Sequence, residues 1–151
     1  MKILVTTLFG LESLVRDDLT LCGYNRNDIQ VSDGVVSLTV SNDNWELDIA
    51  RVNMWVRRGE RVFFEVGNFD AHTFEEFFEG ANKLPWNDFI PHNYAFIVNG
   101  YSRKSKLFGI SACQSLTKKA IVKSLCRSRN LNENAIIRED RSIGEIKIQF
   151  G

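Results

Sequence analysis

The stretch Ile29-Gln-Val-Ser-Asp-Gly-Val-Val-Ser-Leu-Thr-Val40 contains two short β-strand patterns joined by a two-residue turn. Apolar and polar side chains alternate in residues 29–32 and again in residues 35–40. Asp33-Gly34 between such runs is typical of a tight hairpin, because glycine readily takes the positive φ that the turn requires. We therefore predict an antiparallel β-hairpin over residues 29–40.

Helix and strand patterns flank this hairpin on both sides. Residues 2–7 and 61–67 are rich in β-branched and aromatic residues and predict strands. Asn42 and Asp43 are expected to cap the second of the two helices. The helical spacing is carried by Leu11, Leu14, Val15 and Leu19 before the hairpin, and by Trp45, Ile49, Val52 and Val56 after it. The order predicts a ferredoxin-like βαββαβ unit over residues 2–67.

An RNA recognition motif shares this βαββαβ order and is the alternative interpretation of the first unit. Such a motif stacks bases on aromatic side chains of its central strands. Residues 3–7 and 35–40 contain no aromatic residue. We therefore interpret the first unit as scaffold.

A phenylalanine-rich segment follows, in which Phe74, Phe77 and Phe78 have helical spacing and are expected to face a core. Glu75, Glu76 and Glu79 then face outward. Three clustered carboxylates could bind a metal or act as acid and base, but no ligand partners accompany them. We assign no catalytic or metal site to the chain.

The second half is organised around Gly100-Tyr-Ser-Arg-Lys-Ser-Lys-Leu-Phe-Gly109, a basic run between a strand at 94–100 and a long helix. Ser111 and Gln114 fit a capping box at the start of that helix. A strand near 135–138, a turn at 140–142 and a last strand at 145–150 are expected beyond it. Val122 and Cys126 are apolar residues that the spacing places on the polar face of the helix. The predicted buried stripe consists of Ile110, Cys113, Leu116, Thr117, Ala120, Ile121, Ser124 and Leu125.

Charge is strongly segregated although the net charge is zero. Residues 1–96 hold 8 Lys and Arg against 15 Asp and Glu, a net of −7, and residues 97–151 hold 11 against 4, a net of +7. Residues 89–132 contain no carboxylate side chain. Cations beside a helix N-terminus favour a phosphate ligand, although a solvated face is the alternative. The predicted phosphate-binding residues, for which the family resemblance given below implies RNA as the ligand, are Ser102, Arg103, Lys104, Ser105, Lys106, Gln114, Lys118, Lys119 and Lys123.

The three cysteines, Cys22, Cys113 and Cys126, show neither a CxxC spacing nor an even number. They predict no disulfide framework and no zinc site. The N-terminal apolar run is too short for a signal peptide or a membrane span. We expect a cytoplasmic protein that does not contact the membrane.

Several stretches together resemble the N-terminal part of the THUMP-containing methyltransferases. They are residues 7–14, 49–57, 60–62, 74–86, 100–114 and 118–122, which follow the family order along nearly the whole chain. More narrowly, they resemble the bacterial 23S rRNA guanine-N2-methyltransferases, a group also labelled N6-adenine-specific DNA methylases. The resemblance implies an α+β chain with a ferredoxin-like subdomain at 1–68 and an α/β THUMP domain at 69–151, with residue 44 as an earlier alternative start for the THUMP profile.

The resemblance also implies a function, which is capture of structured RNA, in particular large-subunit rRNA, for a C-terminal methylase domain that uses S-adenosylmethionine. The chain has no Pro-Pro tetrapeptide and no GxGxxG-like run, so we expect neither a cofactor site nor catalysis within it. The family pattern continues beyond Phe150, which predicts a truncated edge of the THUMP domain. The alternative hypothesis is a regulatory module that binds a protein or a phosphorylated ligand.

Overall fold

The computed structural model describes residues 1–41, 43–101, 107, 109–132, 135–137 and 139–151. These residues form two compact units, Met1–Glu65 and Val66–Gly151.

The first unit has the predicted βαββαβ order. Its elements are β1 (Lys2–Thr6), α1 (Glu12–Leu21), β2 (Ile29–Ser32), β3 (Val35–Thr39), α2 (Trp45–Trp55) and β4 (Arg61–Glu65), with a 3₁₀ turn at Arg26–Asp28. The sheet order is β2-β3-β1-β4, and every pairing is antiparallel. The hairpin prediction is confirmed, with Ser32 opposite Val35 and Gly34 at φ 73° in the turn.

The core of the first unit lies between the sheet and its two helices. Alternate strand residues point into it, and the helices contribute the apolar positions that their spacing predicted. The buried members are Ile3, Val5, Val15, Leu19, Ile29, Val36, Leu38 and Val52. Trp45 lies over this region against Phe64, with ring centroids 4.9 Å apart.

Two carboxylates of α1 accept hydrogen bonds from backbone amides outside the helix. Asp18 on α1 is buried and accepts hydrogen bonds from the amides of Arg57 and Arg58. Glu12 accepts from the amides of Gly10 and Gly34, at 2.8 and 2.9 Å. Glu12 therefore stabilises the turn at Gly34, and Asp18 stabilises the turn at Arg57 and Arg58.

The predicted cap of α2 is wrong. Asn44 is the N-cap residue, and no side-chain hydrogen bond caps the helix among the described residues. The Asp43 carboxylate accepts a hydrogen bond from Ser41 instead, and Asn42 lies outside the described residues. Three adjacent Asx residues could each start this helix, so local chemistry did not select one of them.

The described residues of the second unit form three helices and a pair of strands. The elements are α3 (Phe74–Lys83), α4 (Trp86–Phe89), β5 (Tyr94–Gly100), α5 (Ile110–Ser128) and β6 (Asp140–Phe150). Strands β5 and β6 are parallel. The α+β class is thus confirmed.

Aromatic rings lie over glycines at both ends of the β5–β6 pair. The Phe150 ring occupies the space where a Cβ on Gly100 would lie, and the Tyr94 ring does the same for Gly144. Phe150 also meets Phe77 edge to face, with centroids 5.7 Å apart. The glycines permit this close approach because they carry no side chain.

A second core forms from Trp86, Ile90, Phe96, Ile121 and Leu125. The Trp86 indole N–H donates to the Ala81 carbonyl at 2.7 Å, which satisfies its polar group inside the core. The prediction that Phe74 is a core residue is wrong, because its side chain is exposed at the start of α3. Phe77 and Phe78 are half-buried, and Glu75, Glu76 and Glu79 are exposed as predicted.

The chain after α5 differs from the prediction. Residues 135–137 form no strand, and Arg138 lies outside the described residues. The last strand begins at Asp140 instead of Glu145 and absorbs the predicted turn as an irregularity, since Tyr94 faces Asp140 but Ala95 faces Glu145. Within it the Asp140 carboxylate accepts hydrogen bonds from the Ser142 amide and hydroxyl.

All three cysteines are free. No helix in the described part of the chain has the length and apolar character needed to span a membrane.

Candidate nucleic-acid interface

Helix α5 provides the described part of the predicted RNA-binding surface. Its N-cap residue is Gly109, whose carbonyl accepts the first helical hydrogen bond, from the Cys113 amide at 2.8 Å. The predicted Ser111–Gln114 capping box is wrong, because the helix begins at Ile110 and Ser111 already lies inside its first turn. No acidic residue lies in that turn. The amides of the first turn and the positive helix end therefore face no carboxylate of their own helix.

The buried face of α5 follows the predicted stripe and is wider than expected. Cys113, Thr117, Ala120, Ile121, Ser124 and Leu125 are buried, while Leu116 is half-buried and Ile110 is exposed. Cys126 is buried as well, so its placement on the polar face is wrong. Thr117 satisfies its hydroxyl by donating to the Cys113 carbonyl at 2.7 Å.

The lysines of α5 divide between two sides of the helix. Lys119 and Lys123 are exposed and lie one turn apart on the side opposite the core. Lys118 and Gln114 lie about 100° or more round the helix from them. The Lys118 Nζ lies 5.7 Å from the centre of the Phe96 ring. The sequence did not predict this contact, because Phe96 is distant from Lys118 in sequence and its pattern predicts only a core position.

These three lysines carry no ion pair among the described residues, whereas the first unit neutralises several of its arginines. There Arg16 pairs with Asp17, Arg51 with Asp48, and Arg58 with Asp18, at 3.7, 3.8 and 3.6 Å. Helix α5 therefore groups three lysines without an ion pair among the described residues on one element.

The two arginines at the C-terminal end of α5 have structural partners. Arg129 donates from Nε to Asn87 Oδ1 at 2.9 Å and from a terminal nitrogen to the Ile90 carbonyl at 2.7 Å. Desolvation lowers the pKa of Arg129 from its ordinary value. Arg127 donates to the Asn82 carbonyl at 3.1 Å. These cations hold the segment around α4 and contribute less to a ligand surface than the lysines do.

Helix α5 ends in a turn that follows these arginines in sequence and contains a residue with positive φ. Asn130 has φ 53°, and the Leu131 amide donates to the Cys126 carbonyl at 2.8 Å. This is the Schellman pattern, with asparagine in the left-handed position. A shallow groove beyond it is lined by His92, Asn93, Arg129, Leu131, Ile136 and Ile137.

Part of the predicted surface lies outside the described residues, namely Ser102, Arg103, Lys104, Ser105 and Lys106. The flanking Tyr101 is exposed after the end of β5. In the described part of the chain, no cluster of three His, Cys, Asp or Glu side chains could hold a metal ion.

Family comparisons address both units. A model of the RlmL ferredoxin-like domain matches residues 2–63, and a model of the THUMP domain matches residues 71–134. The chain therefore contains an RlmL-type ferredoxin-like domain followed by a THUMP domain. The lysines described above lie in the part of the chain that matches the THUMP model. The predicted boundary between residues 68 and 69 lies between the two matches.

Curated relatives carry methyltransferase names. The chain is 36% identical over 123 residues to "Putative RNA methyltransferase YpsC" of Bacillus subtilis (strain 168), covering 82% of this chain and 30% of that protein. It is 25% identical over 91 residues to "Ribosomal RNA large subunit methyltransferase K/L" of Cellvibrio japonicus (strain Ueda107), covering 60% of this chain and 11% of that protein.

A solved relative has the same fold over nearly the whole chain. The structure described as "SMU.472, a putative methyltransferase complexed with SAH" aligns with a TM-score of 0.87 at 33% identity, covering 98% of this chain and 37% of that one. The chain thus spans between 11% and 37% of the length of these relatives.

The SAH of that relative raises the question whether this chain could hold such a ligand. A nucleotide-type site needs a tight glycine-rich turn from strand to helix and an acidic residue for the ribose. Here nine residues separate the end of β5 at Gly100 from the start of α5 at Ile110, and residues 89–132 contain no carboxylate side chain. These residues do not fit an S-adenosylmethionine site, so we derive no chemistry through one.

Proposed function

We propose that this chain captures structured RNA through its THUMP unit. The observation that carries the proposal is the set of unpaired lysines on α5, in a stretch of 44 residues, 89–132, without a carboxylate side chain. Cations that are not neutralised within the protein can neutralise phosphates. Arg103, Lys104 and Lys106 of the preceding basic run add to this surface in the proposal.

The proposed ligand is large-subunit rRNA, and the proposed parent protein is a cytoplasmic, S-adenosylmethionine-dependent guanine-N2-methyltransferase. The names of the two curated relatives support an RNA methyltransferase, and the SAH of the solved relative supports the use of S-adenosylmethionine. The guanine-N2 position rests on the family resemblance alone, and the cytoplasmic location rests on the sequence-based expectation. In such a protein, this region would position the RNA and a methylase domain would carry out the transfer. We assign no catalytic residue to residues 1–151.

Salt dependence of binding tests the proposal. Fluorescence anisotropy with a labelled large-subunit rRNA hairpin would measure Kd between about 50 and 200 mM salt. With about five phosphates contacted and a slope near −0.7 per contact, log K should fall with log salt with a slope of roughly −3.5. Equal Kd values at both salt concentrations would refute phosphate-driven capture.

Duplex DNA of matched length is the control ligand, because it carries the same type of charge in a different helix shape. Recognition of structured RNA predicts tighter binding to the hairpin than to the duplex. Failure to bind any nucleic acid would favour the alternative, a protein-interaction or phosphate-ligand regulatory module.

A further inference from the structure

The outward face of α2 carries three large apolar side chains that the described residues leave uncovered. Leu47, Met54 and Trp55 are 67%, 78% and 62% exposed. At about 100° per residue, Met54 lies within about 20° of Leu47 round the helix, and Trp55 within about 80°. The opposite face packs on the core through Val52, with Ile49 beside it. Helix α2 therefore has two apolar faces, of which its own unit covers one.

Opposite charges lie at the two ends of α2. Glu46 and Asp48 are in the first turn of α2, and Arg57 and Arg58 follow its last turn. Asp48 pairs with Arg51, and Arg58 pairs with Asp18. Glu46 and Arg57 have no ion pair within the described part of the chain. A carboxylate without an ion pair among the described residues thus lies at the start of α2, and a guanidinium without one lies just beyond its end.

We propose that this face binds a second copy of the chain, with the two α2 helices packed antiparallel about a twofold axis. In a register centred near Arg51, Leu47 of one copy meets Trp55 of the other, since each lies four residues from the centre. Glu46 of one copy then lies beside Arg57 of the other, and the symmetry forms this pair twice. Antiparallel helices also place opposite dipole ends together.

A second copy suits the face better than an unrelated partner because each chain supplies both the acidic and the basic end. Arg51 approaches its symmetry mate near the axis, where its own ion pair with Asp48 offsets the repulsion. Eleven helical residues span only about 16 Å, so the buried area falls at the low end of known interfaces. The expected dimer is weak and depends on concentration.

Sedimentation velocity of the 151-residue chain over a hundredfold concentration range tests self-association. The weight-average sedimentation coefficient should rise with concentration. Met54→Asp should weaken dimerisation at least tenfold, because it places an unpaired charge in the apolar stripe. Ile136→Asp is the matched control, since Ile136 is 94% exposed in the other unit and should leave the association constant unchanged. Circular dichroism checks that both variants fold.

Charge reversal tests the antiparallel register. Glu46→Arg and Arg57→Glu should each weaken dimerisation alone, because residues 46 and 57 then carry the same charge in both symmetry-related pairs of the homodimer. An equimolar mixture of the two variants should restore association, since every mixed dimer has two opposite pairs. A wild-type chain that stays monomeric throughout, or a mixture no stronger than the separate variants, would overturn the proposal.

Discussion

The Asp18 carboxylate and the Arg58 backbone lie 40 residues apart in sequence and share a hydrogen bond of 3.3 Å from the Arg58 amide. The same oxygen accepts the Arg57 amide at 3.2 Å, and the other carboxylate oxygen lies 3.6 Å from the Arg58 guanidinium. Asp18 is only 6% exposed. One buried side chain on α1 therefore fixes the turn between α2 and β4.

Replacing Asp18 by Ala should lower the free energy of unfolding by about 2 to 3 kcal/mol, because it leaves two amides without their acceptor in a partly buried site. Urea unfolding of the chain, monitored by circular dichroism, measures the change. Asp17→Ala is the matched control, since Asp17 is exposed and its ion pair among the described residues is with Arg16. An equal effect of both substitutions would contradict a special role of Asp18.

Acid should destabilise the fold through Glu12 and Glu76. Hydrogen bonds from the Gly34 amide to Glu12, and from the His72 amide to Glu76, lower the pKa of each carboxyl below its ordinary value of 4.5. A lowered folded-state pKa contributes stability that is present above the unfolded pKa and is lost as pH falls through the folded pKa. The loss should therefore occur below about pH 4.5.

Unfolding of Glu12→Gln as a function of pH measures this contribution. The variant should be less stable than the wild type at pH 7, and the two curves should converge in acid. Asp28→Asn serves as the control for loss of a carboxylate in the same unit. Curves that stay parallel down to pH 2 would contradict the linkage.

The position of a cation in the chain should affect RNA affinity more than the number of cations replaced. Replacing Arg103, Lys104 and Lys106 together by Ala should weaken binding at least tenfold, about 1.4 kcal/mol, and reduce its salt dependence. Lys119→Ala with Lys123→Ala should act in the same direction but less. Anisotropy with the rRNA hairpin measures both. A larger effect from replacing Arg57 and Arg58 in a folded variant would place the site on the ferredoxin-like unit instead.

Arg129 should affect stability more than RNA binding. Arg129→Ala removes the donors to Asn87 and to the Ile90 carbonyl, and should cost about 1 to 3 kcal/mol of unfolding free energy. The Kd for RNA, corrected for the folded fraction, should change less than twofold. Lys123→Ala should show the reverse pattern, with stability retained and affinity reduced. A large loss of affinity in folded Arg129→Ala would assign this guanidinium to the interface.

The sequence predicted correctly those elements whose local pattern is compatible with a single secondary structure. The hairpin turn at Asp33-Gly34, the strand Tyr94–Gly100 and the buried stripe of α5 fall into this class. The prediction of the N-cap residue was wrong for α2 and α5, where several neighbouring residues could start the helix. The structure has Asn44 and Gly109 at these positions. The burial of Asp18 was not predictable, since its partners are backbone amides supplied by a distant turn.

For the candidate interface, the sequence predicted which cations lie on α5 but not how they divide around it. Helical spacing places Lys119 and Lys123 together, and the structure agrees. The contact of Lys118 with Phe96 and the hydrogen bonds of Arg129 depend on tertiary packing. The predicted role of these residues in RNA binding stays a prediction.

The aromatic rings over Gly100 and Gly144 have a consequence for which sequence changes the second unit can accept. A shift of β6 along β5 by one residue would place each ring against a side chain and turn its inward residues outward. Insertions between the strands therefore cannot be absorbed by slippage and must enlarge the connection itself. The basic run belongs to the connection that leads from β5 through α5 to β6, so it can vary in length and composition while the two strands keep their alignment.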